Sequence, residues 1–121
     1  MIIKEYKFGS ITINGKDYAY DVEVCWTGEV LDWWRNESHI IDLPDIQRAL
    51  EQKPDLIIIG TGAYGLAKIT EKAKQAIKEQ RIELIIDKTE EAVRTFNIIK
   101  QNSKEEEGKQ KKVIGLFHLT C

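Results

Sequence analysis

The chain of 121 residues contains few of the residue types that most readily reveal a chemical function: two cysteines, two histidines and one methionine. Four metal ligands at a diagnostic spacing are absent, so we expect no structural metal, and the sequence indicates no cofactor. Cys25 and Cys121 lie far apart and form no Cys-x-x-Cys pair. The spacing does not exclude a disulfide between them. With so few cysteines, however, a reducing cytosol is the simpler context.

Long apolar runs and an excess of one charge are also missing. The apolar runs reach only four or five residues, far short of the roughly 20 that span a bilayer, and the first residues have no hydrophobic signal region. Eighteen basic residues stand against 20 acidic ones, for a net charge of −2. The chain therefore has no overall positive charge that would attract nucleic acid or an anionic membrane, and we expect it to bind neither. We also expect a cytoplasmic protein.

The composition that remains is that of a soluble globular domain, with 42% hydrophobic and 31% charged residues. A chain of this length buries roughly two-thirds of its extended surface and folds without disulfides or metals. We expect one domain over residues 1–121, because no linker or repeat divides the sequence.

The first third of the sequence predicts an antiparallel meander. Residues 9–13 and 18–24 alternate in polarity on either side of Asn14-Gly15, a pair typical of a type I′ hairpin turn. A further strand is expected over residues 29–35.

The remainder alternates between helical and buried-strand patterns. Residues 56–59 and 82–86 are apolar runs typical of strands covered on both faces. Three helices are predicted, one after Asp42 and Pro44, one from Thr70 to about residue 80, and one over residues 89–100. A last strand is expected over residues 113–119. The charged segment 104–112 is interpreted as a solvated loop, with a partner-binding patch as the alternative.

A glycine motif, Gly60-x-Gly62-x-x-Gly65, follows the first buried strand. With Asp87 after the next strand, it has the outline of a dinucleotide-binding fingerprint, and nucleotide binding is one hypothesis for this chain. Against it, the helix is expected to begin only after Thr70, and too few residues follow for a full doubly wound domain. The structural alternative is that the glycines permit a sharp turn at the sheet edge.

Several short motifs together carry a family resemblance. They are Tyr20-Asp21-Val22, Trp34-Arg35 with His39, Gly60-Thr61-Gly62, Phe96-Asn97, and the closing His118-Leu119-Thr120-Cys121. In this order, over about residues 6–121, the chain resembles a family of small uncharacterised α/β domains that includes an adipogenesis-associated protein and a mitochondrial complex I assembly factor.

The resemblance implies an α/β fold whose mixed central β-sheet has helices on one side and an N-terminal antiparallel hairpin layer on the other. It implies no accepted enzymatic activity, and the better-studied members act through protein partners. Our first functional hypothesis is therefore a protein-interaction or assembly module.

The second hypothesis is a small-molecule site for an anion or carbonyl group, extending to an enzymatic one. Gly60, Thr61 and Gly62 follow one predicted strand and Thr89 follows the next, so both loops are expected at one sheet edge. Asn97, about two turns into the third helix, is the weakest member of this pocket.

Aromatic and titratable residues supply the remaining candidates. Trp33, Trp34, Arg35 and His39 form a possible partner surface if the tryptophans are exposed, and packing in the core is the alternative. His39 as a general base and Cys121 as a nucleophile are weaker hypotheses, because no neighbouring residue in the sequence activates either one.

Overall fold

The computed structural model describes residues 3–105 and 111–121. Ten strands and three helices alternate along this part of the chain. The first strands are β1 (Ile3–Lys7), β2 (Ser10–Ile13), β3 (Lys16–Tyr18), β4 (Val22–Val24), β5 (Val30–Asp32) and β6 (Ile40–Ile41). They are followed by α1 (Leu43–Glu51), β7 (Leu56–Thr61), β8 (Lys68–Ile69), α2 (Glu71–Glu79), β9 (Glu83–Asp87), α3 (Thr89–Glu105) and β10 (Val113–His118).

The central sheet has five strands in the order β5-β4-β10-β7-β9. Strand β10 pairs antiparallel with β4 and parallel with β7, so the last strand in the sequence lies in the middle of the sheet. Every residue of β7 and β10 is buried. Their apolar runs have this pattern because parallel strands at the centre of a sheet are covered on both faces.

Alternate residues of β7 point into two separate cores. Ile57 and Ile59 pack with α1 and α2 on one face, whereas Leu56 and Ile58 pack with α3 and the N-terminal strands on the other. The predicted fold class is confirmed: a mixed central sheet, helices and an antiparallel N-terminal hairpin sheet. One helix departs from the expectation that all helices lie on one side. Helix α3 packs on the same face of the sheet as the hairpin, opposite α1 and α2.

The predicted hairpin turn is present, and Asn14 and Gly15 both have positive φ, 52° and 81°. It joins β2 to β3 within a small sheet that β1 completes. The strand expected over 18–24 is broken at residues 19–21, because β4 leaves the hairpin and enters the central sheet. The strand expected over 29–35 is shorter and ends at Asp32.

Local signals position the helices well. Asp42 caps α1 through a reciprocal pair of hydrogen bonds with Asp45, and the Thr70 hydroxyl caps α2. Helix α3 continues to Glu105, beyond the expected end at residue 100. Most of the predicted loop 104–112 falls at residues 106–110, outside the described residues. Strand β9, expected to be covered on both faces, is an edge strand with Ile86 42% exposed.

Candidate functional site

The structure brings Thr61, Gly62 and Thr89 together at the carboxyl edge of the central sheet, as predicted. The Thr89 hydroxyl accepts a hydrogen bond from the Gly62 N–H (2.8 Å) and donates one to the His118 carbonyl (2.6 Å). The Thr61 hydroxyl donates to the Asp87 carbonyl (3.0 Å). Both hydroxyls are thus bonded to backbone atoms, and these threonines fasten β7, β9 and β10 to one another.

Gly60 and Gly62 are glycines because protein atoms cover them. A Cβ atom at Gly60 would lie 2.8 Å from the Thr89 hydroxyl oxygen, and one at Gly62 would lie 2.6 Å from the Thr120 carbonyl oxygen. Gly62 also has a φ of +104°. A pyrophosphate-binding turn needs glycines that face open space. Gly65 borders a cleft, but Gly60 and Gly62 are covered in this way.

Asn97 does not join this group. Its side-chain amide accepts a hydrogen bond from the Ile3 N–H (3.0 Å) and donates one to the Ile3 carbonyl (2.8 Å). The paired bonds tie α3 to β1, which gives Asn97 a structural role.

A buried charged network lies beside the threonines, where β4 meets β10. Arg35 donates to Asp21 Oδ2 (2.7 Å) and to the Ser38 carbonyl (2.8 Å). His118 Nδ1 lies 2.8 Å from the same Asp21 oxygen, and the Leu119 N–H donates to the other oxygen (2.7 Å). We call Asp21, Arg35 and His118, together with Thr89 and Gly62, the β10 junction.

The contacts of His118 determine which ring nitrogen carries the proton. Its Nδ1 is close to the Asp21 carboxylate and also 2.9 Å from Arg35 Nη2. An ionised carboxylate can only accept hydrogen bonds, so the contact between Nδ1 and Asp21 fits a proton on Nδ1 that is directed at Asp21. Among the described residues, Arg35 Nε is the buried side-chain nitrogen without a hydrogen-bond partner.

The network controls the protonation of Asp21. Burial on its own raises the pKa of this carboxyl, but hydrogen bonds from His118, the Leu119 N–H and Arg35 outweigh burial and hold the pKa below its usual value. Asp21 is therefore a firmly ionised carboxylate at neutral pH.

Of the four residues of the predicted partner surface, two are buried and two are exposed. Trp33 is buried, and Arg35 is buried too, stacked over the Trp33 ring with 4.5 Å between the guanidinium carbon and the ring centroid. Trp34 is 72% exposed. His39 is also exposed and lies 3.8 Å from the Cys121 sulfur, measured to its Nε2.

Trp34 borders the first of two shallow grooves, and these grooves meet at Pro44 and Asp45. Their volumes are about 270 and 160 Å³. The second groove includes Ile40, another exposed apolar side chain. We call this region the tryptophan surface, defined by Trp34, Ile40, Pro44, Asp32, Glu37, Asp42 and Asp45.

A third region, beside Thr61, is a cleft of about 370 Å³ at the edge strand β9. Three lysines from different parts of the fold line it. We call it the lysine cleft, defined by Lys68, Lys74, Lys88, Thr61, Tyr64, Gly65, Ile86 and Asp87.

The two cysteines form no disulfide, and Cys25 is buried. Burial next to Glu23 raises the pKa of the Cys25 thiol to about 11, so it is not a nucleophile at neutral pH. Within residues 3–105 and 111–121, no group of three histidine, cysteine or acidic side chains is arranged to hold a metal ion.

Reasoning from the residues did not predict the β10 junction or the lysine cleft. Asp21, Arg35 and His118 all belong to the motifs that carry the family resemblance, so the signal was present without its geometry. The three lysines carry no such signal, because isolated lysines are ordinary on solvated surfaces.

Comparisons with known proteins agree with this architecture. A family model described as "Protein of unknown function (DUF498/DUF598)" matches residues 3–116. A conserved hypothetical protein from Pyrococcus horikoshii is 26% identical, with a TM-score of 0.82 and alignment over 100% of both chains. A Mth938-like domain from Bordetella pertussis is 16% identical, with a TM-score of 0.75 over 98% of this chain and 85% of its own.

A protein from Bartonella henselae described as an outer membrane protein is 22% identical, with a TM-score of 0.77 over 98% of this chain and 94% of its own. At 16% and 22% identity, the similarity to the Bordetella and Bartonella proteins shows only that the fold is shared. In the described part of the present chain, none of the helices has the length and apolar character needed to span a membrane.

Proposed function

The chain belongs to the DUF498/DUF598 family of proteins of unknown function, and on this premise we propose that it is a protein-interaction module that binds its partner through the tryptophan surface. The resemblance of its motifs to an adipogenesis-associated protein and to a complex I assembly factor supports this class of function. A cytoplasmic location is part of the proposal.

The exposure of Trp34 carries the proposal. At 72% exposed, this side chain leaves most of its indole in water, whereas the adjacent Trp33 is 3% exposed. Fully burying a large apolar side chain contributes roughly 1.5–3 kcal/mol, and tryptophan is enriched among the residues that dominate protein interfaces. Ile40 and Pro44 extend the apolar area next to it.

The charge around Trp34 favours a basic partner. Five carboxylates border the two grooves: the buried one of Glu23, and those of Asp32, Glu37, Asp42 and Asp45. The nearby Arg48 donates to the buried Glu23 and to the Asp32 carbonyl, so its charge is already paired. A partner segment with lysine or arginine beside an apolar residue matches this surface, and its cation can also stack on the Trp34 ring.

The base of the surface is held in place before any partner binds. Trp33 Nε1 donates to the Asp45 carbonyl (2.9 Å), and Arg35 donates to the Ser38 carbonyl (2.8 Å). Asp42 and Asp45 are fixed by capping α1. A rigid surface loses little conformational entropy on binding, which favours recognition of a partner.

Selection from a displayed random-peptide library tests the proposal. We expect enriched peptides to combine lysine or arginine with an aromatic or branched apolar residue. Their affinity should fall about tenfold or more in Trp34→Ala, which corresponds to about 1.4 kcal/mol.

Tyr64→Ala is the matched control, because Tyr64 is 66% exposed but lies in the lysine cleft. Circular dichroism establishes that both variants are folded. Enriched peptides that are acidic, or whose affinity is the same in Trp34→Ala and in the unaltered chain, would overturn the proposal.

A further inference from the structure

We propose that the lysine cleft is a binding site for a small phosphate monoester with a hydroxylated carbon skeleton, the class to which sugar phosphates belong. The cleft shares no residue with the tryptophan surface, so this proposal is independent of the protein-interaction function. Its basis is the convergence of three ammonium groups, two apolar walls and one carboxylate around a single space.

The three lysines reach the cleft from three different elements. Lys68 lies in β8, Lys74 in α2, and Lys88 between β9 and α3. In the part of the chain that the structure describes, neither Lys68 nor Lys88 forms an ion pair. Lys74 lies 3.5 Å from the exposed Glu71. Two unpaired ammonium groups and a third weakly paired one favour a ligand with more than one negative charge.

Asp87 is the one carboxylate in the lining, and it narrows the ligand class. Its Oδ1 accepts a hydrogen bond from the Lys88 N–H (2.9 Å), which fixes the carboxyl group at the start of α3. A carboxylate repels phosphate but accepts hydrogen bonds from hydroxyl groups. The ligand is therefore expected to present phosphate to the lysines and hydroxyls to Asp87.

The apolar walls and the volume set the size of the ligand. Tyr64 and Ile86 line the cleft, and the Phe8 ring lies 6.2 Å from the Tyr64 ring. The volume of about 370 Å³ is at the small end of the range for ligand pockets, roughly 300–1,000 Å³. A single sugar phosphate fits this space better than a dinucleotide does.

Gly65 keeps the cleft open. It has a φ of +69°, and a Cβ atom there would lie 3.3 Å from the Lys88 side chain at Cγ. A side chain at this position would push Lys88 aside and narrow the cleft. The third glycine of the motif thus serves the cleft, whereas the first two pack against the protein interior.

Titration of the ¹⁵N-labelled protein with ribose 5-phosphate, followed by amide chemical shifts, tests the proposal. We expect saturable shifts centred on Thr61, Gly65, Lys68 and Lys88. The affinity should fall about tenfold in Lys88→Gln and further in the double variant Lys68→Gln/Lys88→Gln. Lys72→Gln is the matched control, since Lys72 lies in α2 but not in the cleft, and its affinity should be unchanged.

Two further arms separate the ligand classes. Ribose without phosphate should bind at least tenfold more weakly. Asp87→Asn should raise the affinity for inorganic phosphate and lower that for ribose 5-phosphate, because it removes a repelling charge and also a strong acceptor for hydroxyls. Equal affinity for inorganic phosphate and ribose 5-phosphate would overturn the proposal, as would shifts that Lys72→Gln weakens as much as Lys88→Gln does.

Discussion

The β10 junction and the lysine cleft lie at the same edge of the central sheet and use their polar groups in opposite ways. In the junction, Thr89 bonds to two strands at once and Asp21 takes hydrogen bonds from three groups. In the cleft, Lys68 and Lys88 have no ion-pair partner within the described ranges. Thr61 belongs to the border between the two regions, because it lines the cleft while its hydroxyl bonds to Asp87.

The difference teaches that polar residues in recognisable motifs can serve the fold, whereas the three lysines proposed to face a ligand lie outside any motif. Buried polar groups must be hydrogen-bonded, and such geometry demands particular residues. Exposed ammonium groups make no such demand. Substitutions in the junction should therefore change stability, and substitutions in the cleft should change binding.

The largest effect is expected from Gly62→Ala. Its Cβ atom would meet the Thr120 and Cys121 carbonyls at 2.6–2.7 Å, and its φ of +104° is strained for alanine. We expect a loss of about 3–5 kcal/mol in the free energy of unfolding. Gly65→Ala, whose Cβ atom would meet a flexible lysine instead, should cost about 1 kcal/mol. Urea unfolding compares them, and equal losses would remove the distinction between a packed and an open glycine.

Arg35→Met should cost about 3 kcal/mol of stability. It leaves the Asp21 carboxylate largely buried without its cation, and removing one partner of a buried ion pair costs more than the pair itself contributes. Arg94→Met is the control, since Arg94 pairs with Glu90 and Glu91 on the exposed face of α3 and should lose less than about 1 kcal/mol. Chemical denaturation measures both, and similar losses would contradict a structural role for the junction.

Thr89→Val should cost about 2 kcal/mol, because it keeps the side-chain shape but leaves the buried Gly62 N–H without its acceptor. Thr61→Val loses one hydrogen bond and should cost about 1 kcal/mol. Thermal unfolding of the two variants ranks them. A larger loss of stability in Thr61→Val would contradict this ranking, because it would mean that the hydrogen bond of Thr61 stabilises the fold more than those of Thr89 do.

Acid should weaken the junction. Because the folded-state pKa of Asp21 lies below its unfolded value, this carboxylate stabilises the fold fully above an unfolded pKa of about 3.9, and that contribution is lost as pH falls through the folded value. Asp42 adds to the same trend, its pKa lowered chiefly by a hydrogen bond from the Thr70 hydroxyl.

Stability measured from pH 7 to pH 2 should therefore fall less steeply in Asp21→Asn than in the unaltered chain. Identical slopes would show that the network does not lower the pKa of Asp21 in the folded protein.

The smallest effect is expected from Lys68→Gln/Lys88→Gln, whose unfolding free energy should change by less than about 0.5 kcal/mol. Neither side chain contributes an ion pair to the described fold, so only ligand affinity should respond. A loss comparable to that of Thr89→Val would mean that the cleft lysines are structural.

Local patterns predicted the elements whose causes are local. Asn14-Gly15 specified a turn with positive φ at both positions, and Asp42 and Thr70 capped the helices that they were expected to cap. Strand β1 was not predicted, because three of its five residues are charged and only Ile3 is buried. The break at residues 19–21 was also missed, since alternation of polarity does not reveal that two strands enter different sheets.

The features of the site that the sequence did not predict depend on contacts between residues far apart in the chain. The loops with Thr61 and Thr89 were correctly expected at one edge, because carboxyl ends of parallel neighbours meet there. Whether the Thr89 hydroxyl was free depended on β10, which lies between β4 and β7 and comes from the far end of the chain. Helix α3 begins at Thr89, whose hydroxyl donates to the His118 carbonyl.

The position of β10 also has a consequence for how the protein is made. A ribosome releases β4 and β7 several seconds before β10 at ordinary rates of synthesis. Until β10 arrives, β4 and β7 have no strand between them, and the four consecutive apolar residues of β7 lack their central neighbour. The pairs β4-β5 and β7-β9 can form beforehand, but only β10 joins them into one sheet. The sheet therefore closes late, and until then the edges of β4 and β7 that β10 will cover are open to pairing with other chains.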